Sequence, residues 1–113
     1  MHELSLCEGV LQILEEQAVS RDFRRVKRVW LEIGALSGVD PEALRFGFDV
    51  VMKGTLANAA VLEIIDLPGT AWCMPCGRPV PVKARFDACP HCGGYQLQVT
   101  GGDEMRIKEL EVE

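Results

Sequence analysis

The 113 residues suffice for one domain, or for one domain with a small insert, and 48% apolar content supplies a real core. Twelve basic against 17 acidic residues leave a net charge of -5, which disfavours a phosphate backbone as partner and argues against nucleic acid. No apolar run reaches membrane-spanning length and no signal-peptide pattern opens the chain, so a cytoplasmic protein with no membrane role is expected.

The first predicted element is a helix over residues 4–19. Leu4, Cys7, Leu11, Leu14 and Ala18 recur at helical spacing, and Leu6, Val10 and Ile13 widen the apolar face. Ser5 and Glu8 have the spacing of a capping box and would start the helix there. Cys7 falls on the apolar face and reads as a small buried hydrophobe. A strand follows over residues 26–33, with Val29, Leu31 and Ile33 on one face and Arg28, Trp30 and Glu32 on the other. Asp40-Pro41-Glu42 then has the form of a helix start: an N-cap aspartate, a first-turn proline and an acid at the positive end of the dipole. Leu44, Phe48 and Val51 form its buried stripe, and Gly54 stops it. Residues 60–65 alternate as a second strand.

Composition changes at Pro68-Gly69, and Pro68, Pro75, Pro79, Pro81 and Pro90 all fall before Gly101-Gly102. Periodicity alone builds no core in so broken a segment. Beyond it, Met105 and Ile107 alternate and Leu110 and Val112 continue on the opposite phase, which predicts a bulge or an edge strand. The expected fold is therefore α+β: a small sheet with two helices, built from residues 1–68 and 102–113, with residues 69–101 inserted as a zinc-ribbon-like lobe.

That lobe carries Cys73-Met74-Pro75-Cys76-Gly77 and Cys89-Pro90-His91-Cys92-Gly93, two near-copies with twelve residues between the pairs. Each sets two thiolates on a tight turn, and the glycine after the second cysteine lets the backbone curl toward the sulfurs. Four converging thiolates suit tetrahedral Zn²⁺. A redox dithiol would need a Cys-x-x-Cys at a helix start beside a βαβ unit, and neither feature is present. His91 could displace one cysteine, but four thiolates already close the site, so it reads as exposed or supporting. A closed site is structural and activates no water.

The other histidine is His2. With a free α-amine, Met1, the His2 amide and imidazole, and the Glu3 amide would lie within one short arc. Fused small chelate rings of that kind favour a planar nitrogen set suited to Ni(II) or Cu(II). On spacing alone a terminal histidine is weak evidence. No Gly-rich phosphate cradle and no nucleophile–base pair is visible, so an enzyme is not expected. A zinc-ribbon adaptor without nickel function is the competing reading.

Met1-His2-Glu3-Leu4-Ser5-Leu6-Cys7, Leu31-Glu32-Ile33-Gly34-Ala35-Leu36-Ser37, Pro41-Glu42-Ala43-Leu44-Arg45-Phe46 and the two cysteine knuckles resemble the HypA/HybF family of nickel metallochaperones of [NiFe]-hydrogenase maturation. The resemblance implies a nickel site on Met1, His2 and Glu3 and structural zinc on Cys73, Cys76, Cys89 and Cys92. It also implies two partners, a nickel-handling maturation GTPase and the hydrogenase large-subunit precursor. In some members an acid equivalent to Asp40 approaches the nickel; here capping is the expected role of Asp40.

Overall fold

A computed structural model describes residues 2–113. In chain order the elements are α1 (His2–Arg21), β1 (Val26–Gly34), α2 (Pro41–Met52), β2 (Val61–Leu67), β3 (Gly69–Cys73), β4 (Arg78–Val82), β5 (Leu97–Gly101) and β6 (Met105–Val112). The strands make two three-stranded sheets, ordered β2-β1-β6 and β4-β3-β5. The expected α+β plan, two helices plus a cysteine-bearing lobe, is the plan observed.

Two compact units divide the residues. The first holds the chain up to Leu31 together with Val39–Ile64 and Ile107–Glu113; the second holds Glu32–Gly38 and Ile65–Arg106.

In the first unit α1 packs on α2, and Cys7, Val10, Leu14, Leu44, Phe48 and Met52 are buried. Burial of aliphatic and aromatic side chains at about 1.5–3 kcal/mol each is the main stabilising term here. The helix starts at His2, three residues before the position that the Ser5–Glu8 spacing indicated. Packing explains the difference. Leu4 and Cys7 close on Gly47 of α2, where an added Cβ would stand 3.5 Å from Leu4 Cδ1 and from Cys7 Sγ. The α2 contact therefore reaches Leu4, and the first turn is ordered by it rather than by a Ser5 cap. Cys7 is buried as expected, and its thiol lies 3.5 Å from the Leu44 carbonyl oxygen, to which it donates. Asp40 caps α2, its Oδ1 accepting from the Glu42 amide at 3.0 Å. Reciprocal bonds between Arg25 and Glu113 run β6 antiparallel to β1, and β6 is an edge strand as its pattern suggested.

In the second unit β3 is central, flanked antiparallel by β4 and β5, with a register irregularity at Thr70/Ala71. Leu36, Ala71, Val80 and Val82 form its buried core with Cys73 and Cys89. The prolines of β4 are accommodated because β4 is an edge: Pro79 and Pro81 pair with Trp72 and Thr70, and a strand with one neighbour need not donate on its outer side. Gly102, at φ 83°, comes so close to Pro68, Gly69 and Gly34 that no side chain fits at either position 34 or 102.

Candidate metal centres

Cys73 is the last residue of β3, and the chain reverses through Met74-Pro75-Cys76 into β4. The Gly77 amide donates to the Cys73 carbonyl at 2.8 Å, and Gly77 takes φ 63°. The second knuckle repeats this: the Gly93 amide donates to the Cys89 carbonyl at 2.9 Å, with Gly93 at φ 72°. A left-handed residue closes each turn, which is why a glycine follows each second cysteine. Antiparallel pairing of Cys73 with Leu97, and the Met74 amide donating to the Gln96 carbonyl at 3.0 Å, hold β3 against the approach to β5.

The four sulfurs lie within 4.8 Å of one another. Cys73 and Cys92 are 3.7 Å apart, and Cys76 and Cys89 are 3.9 Å apart. A tetrahedron with Zn–S bonds of about 2.3 Å has edges of about 3.8 Å. Donor type, number and spacing therefore fit Zn²⁺ without rearrangement. Cys73 and Cys89 are buried and Cys92 is exposed.

The electrostatics point the same way. Backbone amides of Cys92 and His91 turned toward the Cys89 sulfur bring its pKa down to about 6. Cys76 is pushed up to about 12, first by the hydrogen bond it shares with Cys73 and then by burial. Four sulfurs in van der Waals contact cannot all ionise unless a cation stands among them. A zinc ion bound by the four thiolates would supply that charge and hold β3, β4 and the second knuckle together. His91 is exposed and outside the sulfur cluster, where only its backbone amide takes part by donating to Cys89 Sγ at 3.4 Å.

At the other candidate centre, Met1 lies outside the described residues. His2 is exposed in the first turn of α1. The Glu3 carboxylate accepts a hydrogen bond from the Asp40 amide at 3.2 Å, and that bond is the leading reason its pKa lies below the ordinary carboxylate value. The structure thus brings Glu3 and Asp40 together at the adjoining ends of α1 and α2. Periodicity held no sign of this contact between residues 37 positions apart.

An α+β protein with a tetrathiolate zinc-type site and an exposed histidine in the first turn of a helix is of the metal-handling class. The chain belongs to the HypA family: the family model described as hydrogenase/urease nickel incorporation, metallochaperone, hypA matches residues 1–112. It is 64% identical over 113 residues to the hydrogenase maturation factor HypA of Acidithiobacillus ferrooxidans, covering all of both chains. The HypA of Azotobacter chroococcum is 59% identical over the same full length. The solution structure of the Ni metallochaperone HypA from Helicobacter pylori superposes with a TM-score of 0.71 at 26% identity, covering 97% of this chain and 96% of that one.

Proposed function

We propose that this protein binds Ni(II) at Met1, His2 and Glu3 and delivers it for assembly of [NiFe]-hydrogenase, without catalytic turnover of its own. Nickel is the cargo; zinc on Cys73, Cys76, Cys89 and Cys92 is structural. The observation that carries the reading is the start of α1 at His2, in a chain that the family model covers from its first residue. The first four amides of a helix have no intrahelical acceptor, so the His2 and Glu3 amides are free of the backbone ladder and can serve a metal once deprotonated. The positive end of the helix dipole favours that loss of a proton. The imidazole of His2 is exposed, and the amine of Met1 would complete a nitrogen-rich set. The Glu3 carboxylate is engaged by the Asp40 amide, which supports the Glu3 backbone rather than its side chain as the metal's contact.

Delivery requires protein partners. The reading names a nickel-handling maturation GTPase and the hydrogenase large-subunit precursor, met in the cytoplasm. Nickel titration of untagged protein tests it. One equivalent of tightly bound nickel beside one of zinc supports the chaperone reading, and zinc alone would leave a zinc-ribbon adaptor.

A further inference from the structure

The edge strand β6 runs Met105-Arg106-Ile107-Lys108-Glu109-Leu110-Glu111-Val112. From its two ends inward, apolar residues fall at matching places and every cation has an anion as its counterpart. The point of symmetry lies between Lys108 and Glu109. A second, antiparallel copy of the strand would therefore set Met105 opposite Val112, Arg106 opposite Glu111, Ile107 opposite Leu110 and Lys108 opposite Glu109.

Residues opposite each other in a sheet share a face, yet Ile107 and Leu110 stand three apart, and regular alternation would part them. β6 does not alternate regularly. Arg25 and Glu113 bond reciprocally, and the Gly34 amide donates to the Glu104 carbonyl at 2.8 Å. These two pairs lie nine positions apart on each strand, whereas bonded pairs of a regular ladder recur at even spacing, so the alternation slips once between them. The ion pairs agree. Arg106 reaches Glu32 at 2.7 Å and Glu111 reaches Arg28 at 3.4 Å, so two residues of opposite phase on β6 meet two residues of equal phase on β1. Past the slip, Ile107, Leu110 and Val112 line one groove of about 650 Å³ together with Ile13 and Phe23.

We propose that two copies of this protein pair through β6, about a two-fold axis between Lys108 and Glu109, and join their β2-β1-β6 sheets into one of six strands. Among the described residues β6 has β1 as its only neighbour, so its outer edge is open. The far edge of the sheet differs, since the Leu62 carbonyl of β2 is already filled by Arg45 Nη1 at 2.7 Å. Lys108 and Glu109 are exposed and make no ion pair among the described residues. Pairing gives each a partner, once on either side of the axis. Arg106 and Glu111 already have partners within the chain and add less. The groove also carries Arg21, Asp22 and Glu113, charges of both signs, which suits a surface matched to itself better than a uniformly acidic or basic one. Other registers are poorer: pairing centred on Glu109 sets that carboxylate against its own copy, and pairing centred on Lys108 does the same with its ammonium. Beyond the strand Glu104 would meet Glu113, each beside its own cation, Arg106 and Lys27, which confines the pairing to the eight residues of β6. One strand and one groove make a small interface, so a reversible dimer with Kd on the order of 10 μM is expected. Nickel plays no part in this pairing, which goes beyond the function proposed above.

Sedimentation of untagged, zinc-loaded protein over a concentration series tests the pairing. The variants are Lys108→Glu, Glu109→Lys and the two changes combined. Either single change sets like charges together on both sides of the axis and should weaken dimerisation by about tenfold. An equimolar mixture of the two single variants should dimerise as wild type does, because the acidic edge of one copy then meets the basic edge of the other. The combined exchange should do the same, since it reverses each pair without breaking it. Zinc content and thermal unfolding should hold in every variant, both side chains being exposed. Wild type that stays monomeric up to about 1 mM overturns the proposal, whatever other protein it binds. So do dimers that both single variants keep at full strength, which would place the contact elsewhere, and a mixture that associates no better than its components.

Discussion

Removing zinc should unfold the second unit and spare the first, and the cores of the two units say why. In the hydrophobic cluster around the cysteines the buried aliphatic side chains are Leu36, Val80 and Val82, with Ala71 and two ligand cysteines completing it. At about 1.5–3 kcal/mol apiece, the three contribute about 5–9 kcal/mol before any entropy is subtracted. A structural zinc site contributes about 10–16 kcal/mol of apparent binding free energy. The metal is therefore the larger stabilising term in this unit. Without it, the thiolates crowd one another uncompensated, and Cys76 in particular is held protonated, pushed up to about 12. The first unit has Leu14, Leu31, Leu44, Phe48 and Met52 buried and no metal ligand among them.

Amide dispersion decides the matter. On chelation, or in Cys73→Ala and Cys92→Ala variants, resonances of residues 69–101 should collapse to unfolded positions while those of α1 and α2 hold. A thiol reagent should then find four reactive cysteines in the chelated protein and three in either alanine variant, where the zinc form shows none. Native dispersion across residues 69–101 in metal-free protein would refute the reasoning, since it would mean that the small aliphatic cluster suffices.

His2→Ala and a short N-terminal extension should have the same effect, loss of tight nickel binding with zinc content and thermal unfolding unchanged; calorimetry on the tagged and untagged proteins checks it. Glu3→Gln should be milder, because the carboxylate is assigned to the Asp40 amide. Cys7 should resist alkylation in folded protein at neutral pH, since burial pushes its thiol up to about 11. Because the folded state then holds that proton more tightly than the unfolded chain does, stability should be full below the ordinary thiol pKa and fall as pH rises from there toward 11, a loss that Cys7→Ala should remove. Asp40→Ala should cost about 1 kcal/mol through the lost cap, read in denaturant unfolding. Gly102→Ala, at φ 83° and in contact with Pro68 and Gly69, should cost about 2–5 kcal/mol, from backbone strain and overpacking together.

Local chemistry was the legible part of this chain. Asp40-Pro41-Glu42 announced α2 because capping depends on neighbours in sequence, and the cysteine knuckles announced a metal site because thiolate spacing within each turn is local as well. The start of α1 was misplaced because it is set by Leu4 against Gly47, a contact between residues 43 positions apart that no capping pattern encodes. Three strands in the proline-rich segment went unseen for a related reason. Proline breaks a strand only where its missing N–H is needed, and that depends on sheet order: β4 tolerates Pro79 and Pro81 because β3 is its only neighbour. Periodicity left no mark of the contact of Glu3 with the Asp40 amide, 37 residues apart; only the family resemblance, in some members of which an acid equivalent to Asp40 approaches the nickel, pointed to it.

That contact bears on how the first turn of α1 could serve as a cargo site. Helix termini fray, and a site built on a frayed turn would order its ligands anew each time it bound. Here the turn is tied twice to α2, by Leu4 on Gly47 and by the Glu3 carboxylate on the Asp40 amide, while the exposed His2 imidazole enters neither contact. The side chains that anchor the turn differ from the groups assigned to nickel, so the turn can stay ordered whether loaded or empty. Glu3 should then matter to the rate and pH dependence of nickel exchange more than to nickel's inner contacts. As pH falls through its lowered pKa the carboxylate protonates, its bond to the Asp40 amide weakens, and the loosened turn should release nickel faster. Stopped-flow release from wild type and Glu3→Gln across acid pH separates the two roles. A glutamine variant that keeps the wild-type acid acceleration would show that protonation of the nitrogen ligands alone drives release.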